Sequence, residues 1–243
     1  AKRVLEIELN AVTDNPLIFP NSDSSNIEDM IVSAGHFHGM PLALVMSYVK
    51  AAIPVLASIS ERRINKLVDP GTNDGLPAFL IGNEDGTESG FMIVQYTAAA
   101  IVNDLASRAH PASVYSIPTS ANAEDHVSMG ANEARHVLDM TEDLGKVLAL
   151  ELYTAAQALE LRREMINAAR RLAADHDVHA LASKVNGAPM PQDADYPAFL
   201  QEVEALRREL ADSAEFVPGN AVKAALDALR GHIAFMDSDR AMD

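Results

Sequence analysis

The side chains best suited to proton transfer lie in one short stretch, residues 116–130, which reads SIPTSANAEDHVSMG. Glu124, Asp125 and His126 are adjacent there, so two carboxylates and an imidazole come close together. Such groups act as general acids or bases when a protein holds them against a substrate. Carboxylates are also common in the first turn of a helix, where they stabilise the helix start. The stretch therefore indicates either a catalytic acid or base, or an acidic helix start.

A helix start is the element that we expect to position these groups. Pro118 makes a rigid turn, and both Ser120 and Asn122 are residue types that cap helices. If one of them is the cap, Glu124 and Asp125 fall in the first helical turn and feel its positive end. This geometry would aim a negative charge at a ligand.

Two histidines, His36 and His38, are a second group of side chains that could bind a metal. With Glu28 and Asp29 nearby, a His-x-His pattern could ligate zinc if further donors converged. The sequence offers no cysteine and no His-Glu-x-x-His motif to complete such a site. The turn is better explained as placing Phe37 at the start of the next helix, so we predict no metal site.

The 243 residues carry a formal net charge of −16 and contain no cysteine. A strongly acidic chain is a poor partner for nucleic acid or an anionic membrane, because both require clustered Lys and Arg. The absence of cysteine excludes disulfides and thiolate chemistry, and it fits a soluble protein of the cytoplasm. The most apolar long stretch, residues 41–57, contains Lys50 and Pro54, so we interpret it as a buried helix and not as a membrane span.

Two other features could bind ligands but have simpler explanations. The glycines of residues 82–90 follow no strand and precede no lysine, and the acidic residues among them would repel phosphate. A nucleotide site is therefore not expected. Arg62 and Arg63 could bind a carboxylate, although a solvated helix face or a favourable contact with a helix end explains them better.

Hydrophobic spacing predicts a protein built from helices. Pro54 should kink a helix that runs from Gly39 to Val68, and Pro111 should end the next one. One short β-hairpin could join residues 17–19 to 30–33. The helices are expected at about 4–9, 39–68, 90–109, 134–159, 165–185, 197–211 and 218–233, with a linker at 187–196.

Four blocks of the chain are similar, in sequence and in order, to motifs of one enzyme family. They are residues 8–19 (ELNAVTDNPLIF), 35–41 (GHFHGMP), 89–100 (SGFMIVQYTAAA) and the stretch 116–130. Together they resemble the aromatic amino acid ammonia-lyases, which use methylidene-imidazolone (MIO), and most closely the histidine ammonia-lyases. Four blocks in register make the resemblance specific, and it covers about residues 1–165.

The resemblance implies an all-α fold, a long-helix bundle of the ammonia-lyase and fumarase/aspartase type. At most a short β-hairpin near residues 17–33 would interrupt the helices. Residues 1–164 would form the C-terminal part of the lyase helical core, and residues 165–243 a peripheral C-terminal helical layer.

The family eliminates ammonia from an aromatic L-amino acid, and it forms the electrophile MIO from an internal Ala-Ser-Gly. No Ala-Ser-Gly occurs in this sequence. The resemblance therefore implies the C-terminal portion of a carbon–nitrogen lyase that is incomplete as this chain alone. An amino-terminal half, from the same gene or as a separate chain, would supply MIO. The family also implies a homo-oligomer, a tetramer, with active sites between its subunits.

Glu124 is the catalytic residue that the resemblance implies, because it matches the acidic group beside cofactor and substrate in the histidine enzymes. A carboxylate suits an imidazole that donates a hydrogen bond or becomes cationic, which favours histidine as substrate and urocanate as product. By the same resemblance, Phe37, Asn122 and His38 would lie next to substrate or cofactor, and Asn15, Asp125 and His126 would support the site.

Two alternatives remain open. Within the family, tyrosine and phenylalanine ammonia-lyases and the 2,3-aminomutases are close rivals to the histidine enzymes. In a different class, the chain would be a non-catalytic helical subunit that stabilises or regulates a lyase-like partner. Met40 and Ala123 would fit this second alternative, since they stand where the family usually has other residues.

Overall fold

The computed structural model describes residues 1–20, 25–82, 87–177 and 196–237, with the backbone alone at 196–199. Helices dominate these residues, so the expected all-α fold is confirmed, and two very short strands form the only sheet within them. The six helices of the described ranges are α1 (Lys2–Glu8), α2 (Met40–Val68), α3 (Met92–Arg108), α4 (Gly130–Asp175), α5 (Tyr196–Asp212) and α6 (Asn220–Arg230).

The expected β-hairpin is present. Strand β1 (Leu17–Ile18) pairs antiparallel with strand β2 (Ile31–Val32), and Leu17 lies opposite Val32. Apolar and β-branched residues at these positions suit an extended backbone. The second strand leads directly into the turn that carries Phe37.

Helix α2 buries one face and exposes the other. Its buried positions recur every three or four residues, as in an amphipathic helix. By length and composition alone α2 could cross a membrane, but the core helices of soluble proteins pass the same test. Only 28% of its most apolar window is buried, so the prediction of a buried helix holds for one face alone. We use the name α2 stripe for its exposed large apolar residues, Leu44, Tyr48, Val55, Leu56 and Ile59.

Helix α4 is a single helix of 46 residues, longer than expected. The prediction of a new helix beginning at Met165 is wrong, because no glycine or proline interrupts the chain between Lys146 and Asp175. The remainder of the predicted helix, residues 178–185, and the predicted linker at 187–195 lie outside the described residues. Helices α5 and α6 agree with the remaining two predictions to within a few residues.

The described residues group into two compact units. The first contains Ala1–Ile64 and Val94–Glu151, and the second contains Asn65–Ile93 and Leu152–Asp243. The division expected between residues 164 and 165 stays a prediction. The core cluster of the first unit consists of Ile53, Ala57, Leu105 and Met140, against which Val49, Ile101, Val102, Val137 and Leu144 pack.

In the second unit, the loop after α2 packs through its apolar residues, as expected. Leu76 and Leu80 are buried, and Gln157 of α4 donates a hydrogen bond to the carbonyl oxygen of Leu80 at 3.1 Å. The same side-chain amide bonds to both backbone groups of Met236, at 2.6 Å and 3.1 Å. One buried glutamine therefore joins two loops of this unit to α4.

Candidate active site

The residues that carry Glu124 form a loop and not a helix start. Helix α4 begins only at Gly130, so the prediction that Ser120 or Asn122 caps it is wrong. Glu133 occupies the first turn of α4, the position that the sequence predicts for Glu124 and Asp125. Glu124 therefore lies outside the first turn of α4, and its placement depends on the loop itself.

A strained turn presents Glu124. Thr119 and Glu124 exchange both backbone hydrogen bonds, with N···O distances of 3.0 Å and 3.3 Å. Between them, Ser120, Ala121 and Asn122 have positive φ angles of 53°, 55° and 70°. A left-handed backbone costs an L-residue roughly 1–2 kcal/mol, and such strain concentrates at functional sites. The side chains of Asn122 and Glu124 are exposed in this chain.

His38 ties this loop to the turn before α2. Its Nε2 donates a hydrogen bond to the carbonyl oxygen of His126 at 2.7 Å, and its Nδ1 accepts one from the Met40 amide at 3.3 Å. The two imidazole rings are stacked, with centroids 5.3 Å apart and planes 5° from parallel. These two contacts use Nε2 as the donor and Nδ1 as the acceptor, so both ring nitrogens of His38 are engaged. Two predicted site residues are thus brought into direct contact.

Asn15 supports the chain that leads to Phe37. Its side-chain oxygen accepts a hydrogen bond from the Ala34 amide at 3.1 Å, and the Ser33 hydroxyl lies 3.5 Å away. Phe37 itself is 55% exposed in this chain, so its ring has a free face. Asn15 is accordingly a structural neighbour of the Phe37 turn.

The two histidines considered for a metal site have separate partners. His36 Nε2 lies 3.1 Å and 3.0 Å from the two carboxylate oxygens of Glu8 in α1, whereas His38 bonds to the backbone of His126. In the ranges that the structure describes, no three His, Asp or Glu side chains converge as metal ligands would. The His-x-His pattern therefore joins three segments of the first unit to one another.

A buried polar cluster at the base of the loop was not anticipated from the sequence. Lys50 and Glu133 are 1% and 0% exposed, and Lys50 Nζ lies 3.2 Å from Glu133 Oε2. Lys50 also donates to the carbonyl oxygen of His110 at 2.7 Å and lies 2.9 Å from Nδ1 of His136. The Ser113 amide donates to the other Glu133 oxygen at 2.9 Å. The only signal in the sequence was a lysine inside an apolar run.

This cluster keeps Glu133 ionised. Burial alone would raise the pKa of Glu133, but the hydrogen bond from the Ser113 amide and the charge of Lys50 outweigh it and hold that pKa below its ordinary value. The Ser47 and Ser113 hydroxyls are 2.8 Å apart and complete the cluster. Its residues come from α2, from α4 and from the loop between α3 and α4.

The two arginines considered for carboxylate binding are both engaged within the chain. Arg62 pairs with Glu61 at 2.6 Å, and Arg63 pairs with Glu151 of α4, with Nη2 2.9 Å from Oε2. The hydrogen bond from Arg63, with a second from Ser60, holds the pKa of Glu151 below its ordinary value although burial opposes this. Both arginines are therefore ion-paired residues on an exposed part of the helix, which fits the solvated helix face expected for them, and the ion pairs themselves are an addition from the structure.

A cavity of about 510 Å³ in the first unit adjoins the Phe37 turn and the end of the loop. Its size falls within the usual range for small-molecule sites. Gly39 and Ser128 meet at its edge so closely that a Cβ atom at position 39 would lie 2.9 Å from the Ser128 hydroxyl. The apolar lining consists of Leu5, Leu9, Leu42, Met46, Ala131 and Ala134, and the polar side chains are those of Glu8, Thr13 and Ser128.

Comparison with known proteins identifies the class to which this fold and site correspond. The family model for aromatic amino acid lyases matches residues 1–183. The chain belongs to the aromatic amino acid lyase family. The match extends beyond residue 165, to which the resemblance was expected to reach, and well beyond residue 130, where the last of the four blocks ends.

Individual relatives narrow the similarity. The chain is 53% identical to the histidine ammonia-lyase of Treponema denticola over 161 residues. The matched residues make up 66% of this chain and 30% of that protein. It resembles a solved histidine ammonia-lyase from Trypanosoma cruzi with a TM-score of 0.59 and 35% identity, over 93% of this chain and 40% of that one. It also resembles a tyrosine aminomutase with a TM-score of 0.68 and 28% identity, over 99% of this chain and 35% of that one.

The chain spans about 30% of the length of the curated relatives that it matches. Glu124, His38 and Phe37 therefore correspond to only some of the residues of a full-length relative.

Proposed function

We propose that this chain is the C-terminal portion of a histidine ammonia-lyase, an enzyme that converts L-histidine to urocanate and ammonia. The observation that carries the proposal is the 53% identity with the Treponema denticola enzyme over 161 residues. The geometry supports it, because Glu124 is exposed on a strained turn that His38 ties to the Phe37 turn.

The substrate explains why a carboxylate is useful at position 124. An imidazole N–H forms a charge-assisted hydrogen bond to a carboxylate, which is stronger than a bond to a neutral acceptor. The same carboxylate stabilises the ring when it becomes cationic. Glu124 would therefore bind and orient the substrate side chain. Asp125 and His126 would support that placement, since the carbonyl oxygen of His126 is the acceptor for His38.

MIO, when bound, supplies the electrophile to which the substrate attaches, because the β-proton to be removed is weakly acidic. The sequence has no Ala-Ser-Gly, so the residues that form MIO would come from another segment. Phe37 and Asn122 fit a role beside this group. The exposed Phe37 ring can pack on a flat conjugated system, and the exposed Asn122 amide can donate a hydrogen bond to it.

The amino-terminal half of the lyase is the first partner that we propose. Exposed large apolar residues of the α2 stripe recur along one face, and a contiguous apolar surface is normally covered in the complete assembly. The matched part is only 30% of the Treponema denticola enzyme, so most of such an enzyme would consist of residues outside this chain. A homotetramer and a cytoplasmic location complete the proposal.

A tyrosine aminomutase or lyase is the second candidate. It is favoured by the structural match to a tyrosine aminomutase, which covers 99% of this chain with a TM-score of 0.68. The identity in that match is 28%, lower than the 53% of the histidine enzyme. We therefore rank histidine first.

The test begins with intact mass and gel analysis of the purified protein for a second polypeptide. The chain, together with a lyase half that contains Ala-Ser-Gly, is then assayed by ultraviolet absorbance with histidine, tyrosine and phenylalanine. We expect product from histidine. A product from tyrosine alone would favour the second candidate, and a stable complex without any product would favour a non-catalytic subunit.

Glu124→Gln tests the residue assignment in the same assay. It keeps the size of the side chain and removes its charge, so turnover of histidine should fall by about 100-fold or more. Glu209→Gln is the matched control, because Glu209 is an exposed carboxylate on α5 and should leave turnover unchanged. Unchanged turnover in Glu124→Gln would remove Glu124 from the site.

A further inference from the structure

Lys50 connects the two ends of the loop that carries Glu124. The loop leaves α3 just after Arg108 and enters α4 at Gly130. At its first end, the carbonyl oxygen of His110 accepts a hydrogen bond from Lys50 Nζ at 2.7 Å. At its second end, Glu133 and His136 lie within 3.2 Å and 2.9 Å of the same nitrogen. One ammonium group, held on α2, therefore meets acceptors from both ends.

Glu133 makes the same connection from the other side. One carboxylate oxygen accepts from the Ser113 amide at 2.9 Å, and the other faces Lys50. Ser113 is itself buried and bonds through its hydroxyl to Ser47 of α2 at 2.8 Å. The separation of residues 110–113 from the first turns of α4 is thus set by two hydrogen bonds, from Lys50 to His110 and from Ser113 to Glu133, and by the Lys50–Glu133 ion pair. That pair has the distance of a salt bridge without hydrogen-bond geometry.

Stability alone does not explain a buried ion pair here. Removing two charges from water is costly, and apolar residues of similar volume often fill such a place equally well or better. The hydrogen bonds around this pair differ from apolar packing, because their distances and directions are restricted. The contacts hold the two ends of the loop that contains the strained turn, and strained backbone persists only when the surrounding structure holds it in place.

We propose that Lys50 and Glu133 are positioning residues, which hold the two ends of the loop so that Glu124 is presented in one geometry. Neither side chain is exposed, so neither touches the substrate. The structural part of this inference concerns the chain itself, and its consequence for turnover rests on the function proposed above.

Hydrogen exchange of the loop amides is the first test and requires no activity. In Lys50→Met/Glu133→Gln, which removes both charges, the amides of Thr119, Glu124 and Val127 should exchange about tenfold faster or more. The matched control is Ser60→Ala/Glu151→Gln, which breaks another polar contact between α2 and α4 at 2.5 Å. Equal exchange in the two double variants would overturn the inference.

Coupling to Glu124 is the second test, with the chain and the Ala-Ser-Gly-bearing half together. The Lys50→Met/Glu133→Gln variant should lower kcat by about tenfold to 100-fold, since small misplacements of a catalytic group have effects of this size. The same change should have little further effect when Glu124→Gln is already present, because the two act through one group. Fully additive losses would show a general structural role and overturn the inference.

A milder variant keeps the test decisive if the double variant does not fold. Ser47→Ala removes the hydroxyl contacts with Ser113 and Glu133 and leaves both charges in place. It should accelerate exchange at Val127 and Glu124 by about threefold, without changing exchange in the second unit. No local change would count against the inference. If the wild-type complex yields no product, the proposed function fails, while the exchange experiment still decides the structural part.

Discussion

The imidazole ring of His38 is stacked parallel to that of His126, with ring centroids 5.3 Å apart. His38 also donates a hydrogen bond to the backbone carbonyl oxygen of His126. Residues 88 positions apart are thus joined by both a ring contact and a polar one. Through this pair, the turn that carries Phe37 and the loop that carries Glu124 become one surface. The function that we propose requires both segments to face the same substrate.

His38→Ala should release the loop from the Phe37 turn. The hydrogen bond and the ring contact together should lower the free energy of unfolding by roughly 1–2 kcal/mol. Urea unfolding measures this loss, and exchange at Val127 should accelerate in the same variant. His232→Ala, at an exposed histidine beyond α6, is the control and should change neither quantity. Equal losses in both variants would contradict a specific role for His38.

Ala121→Gly should stabilise the protein, against the usual effect of glycine. Ala121 has a φ of 55°, where a Cβ atom is unfavourable and glycine is not. We expect a gain of about 0.5–1 kcal/mol, seen as a higher urea midpoint. The control is Ala123→Gly, two residues along, where φ is −65° and glycine should lower stability instead. A loss in both variants would show that the left-handed turn does not form.

Glu133→Gln should change how the protein responds to acid. Because the pKa of Glu133 is lower in the folded state, this group contributes stability above its ordinary value of 4.5, and that stability is lost as pH falls towards the folded value. The variant lacks the contribution at every pH. The difference in urea midpoint between the two proteins should therefore be largest near neutral pH and shrink below pH 4.5.

Glu209→Gln, at an exposed position of α5, is the comparison for this acid series. Its urea midpoints should run parallel to those of the wild type. A constant difference between wild type and Glu133→Gln down to the lowest pH would mean that Glu133 is not the titrating group.

Arg230→Lys should loosen the end of the second unit. Arg230 Nε donates to Glu160 at 2.8 Å, and Nη1 donates to the carbonyl oxygens of Ile233 and Ala234 at 3.3 Å and 3.2 Å. A lysine cannot reproduce this planar set of donors. We expect a loss of roughly 1–2 kcal/mol and faster proteolysis after residue 230. Arg208→Lys, at an exposed arginine, should behave as the wild type.

Local patterns in the sequence were sufficient for most of the architecture. The hairpin and the helices α2, α3, α5 and α6 follow from hydrophobic period, prolines and turn residues, all of which act over a few positions. The break predicted before Met165 had no such cause. The chain there lacks glycine and proline, so α4 simply continues.

The site was less accessible to sequence reasoning, for two physical reasons. Left-handed backbone is normally signalled by glycine, but Ser120, Ala121 and Asn122 adopt it in a segment, residues 111–129, that contains no glycine. The partners of Lys50 lie between 60 and 86 residues away, so no local pattern reveals that its charge is compensated. A capping motif was therefore inferred where a tertiary constraint operates.

The close approach of Gly39 to Ser128 has an evolutionary consequence. A Cβ atom at position 39 would lie 2.9 Å from the Ser128 hydroxyl, so a side chain at 39 requires Ser128 to shift or to be replaced. A library randomised at both should yield alanine at 39 chiefly in clones that carry glycine or alanine at 128. Substitution at position 39 would therefore act on the contact between the Phe37 turn and the Glu124 loop, while leaving both of those side chains unaltered.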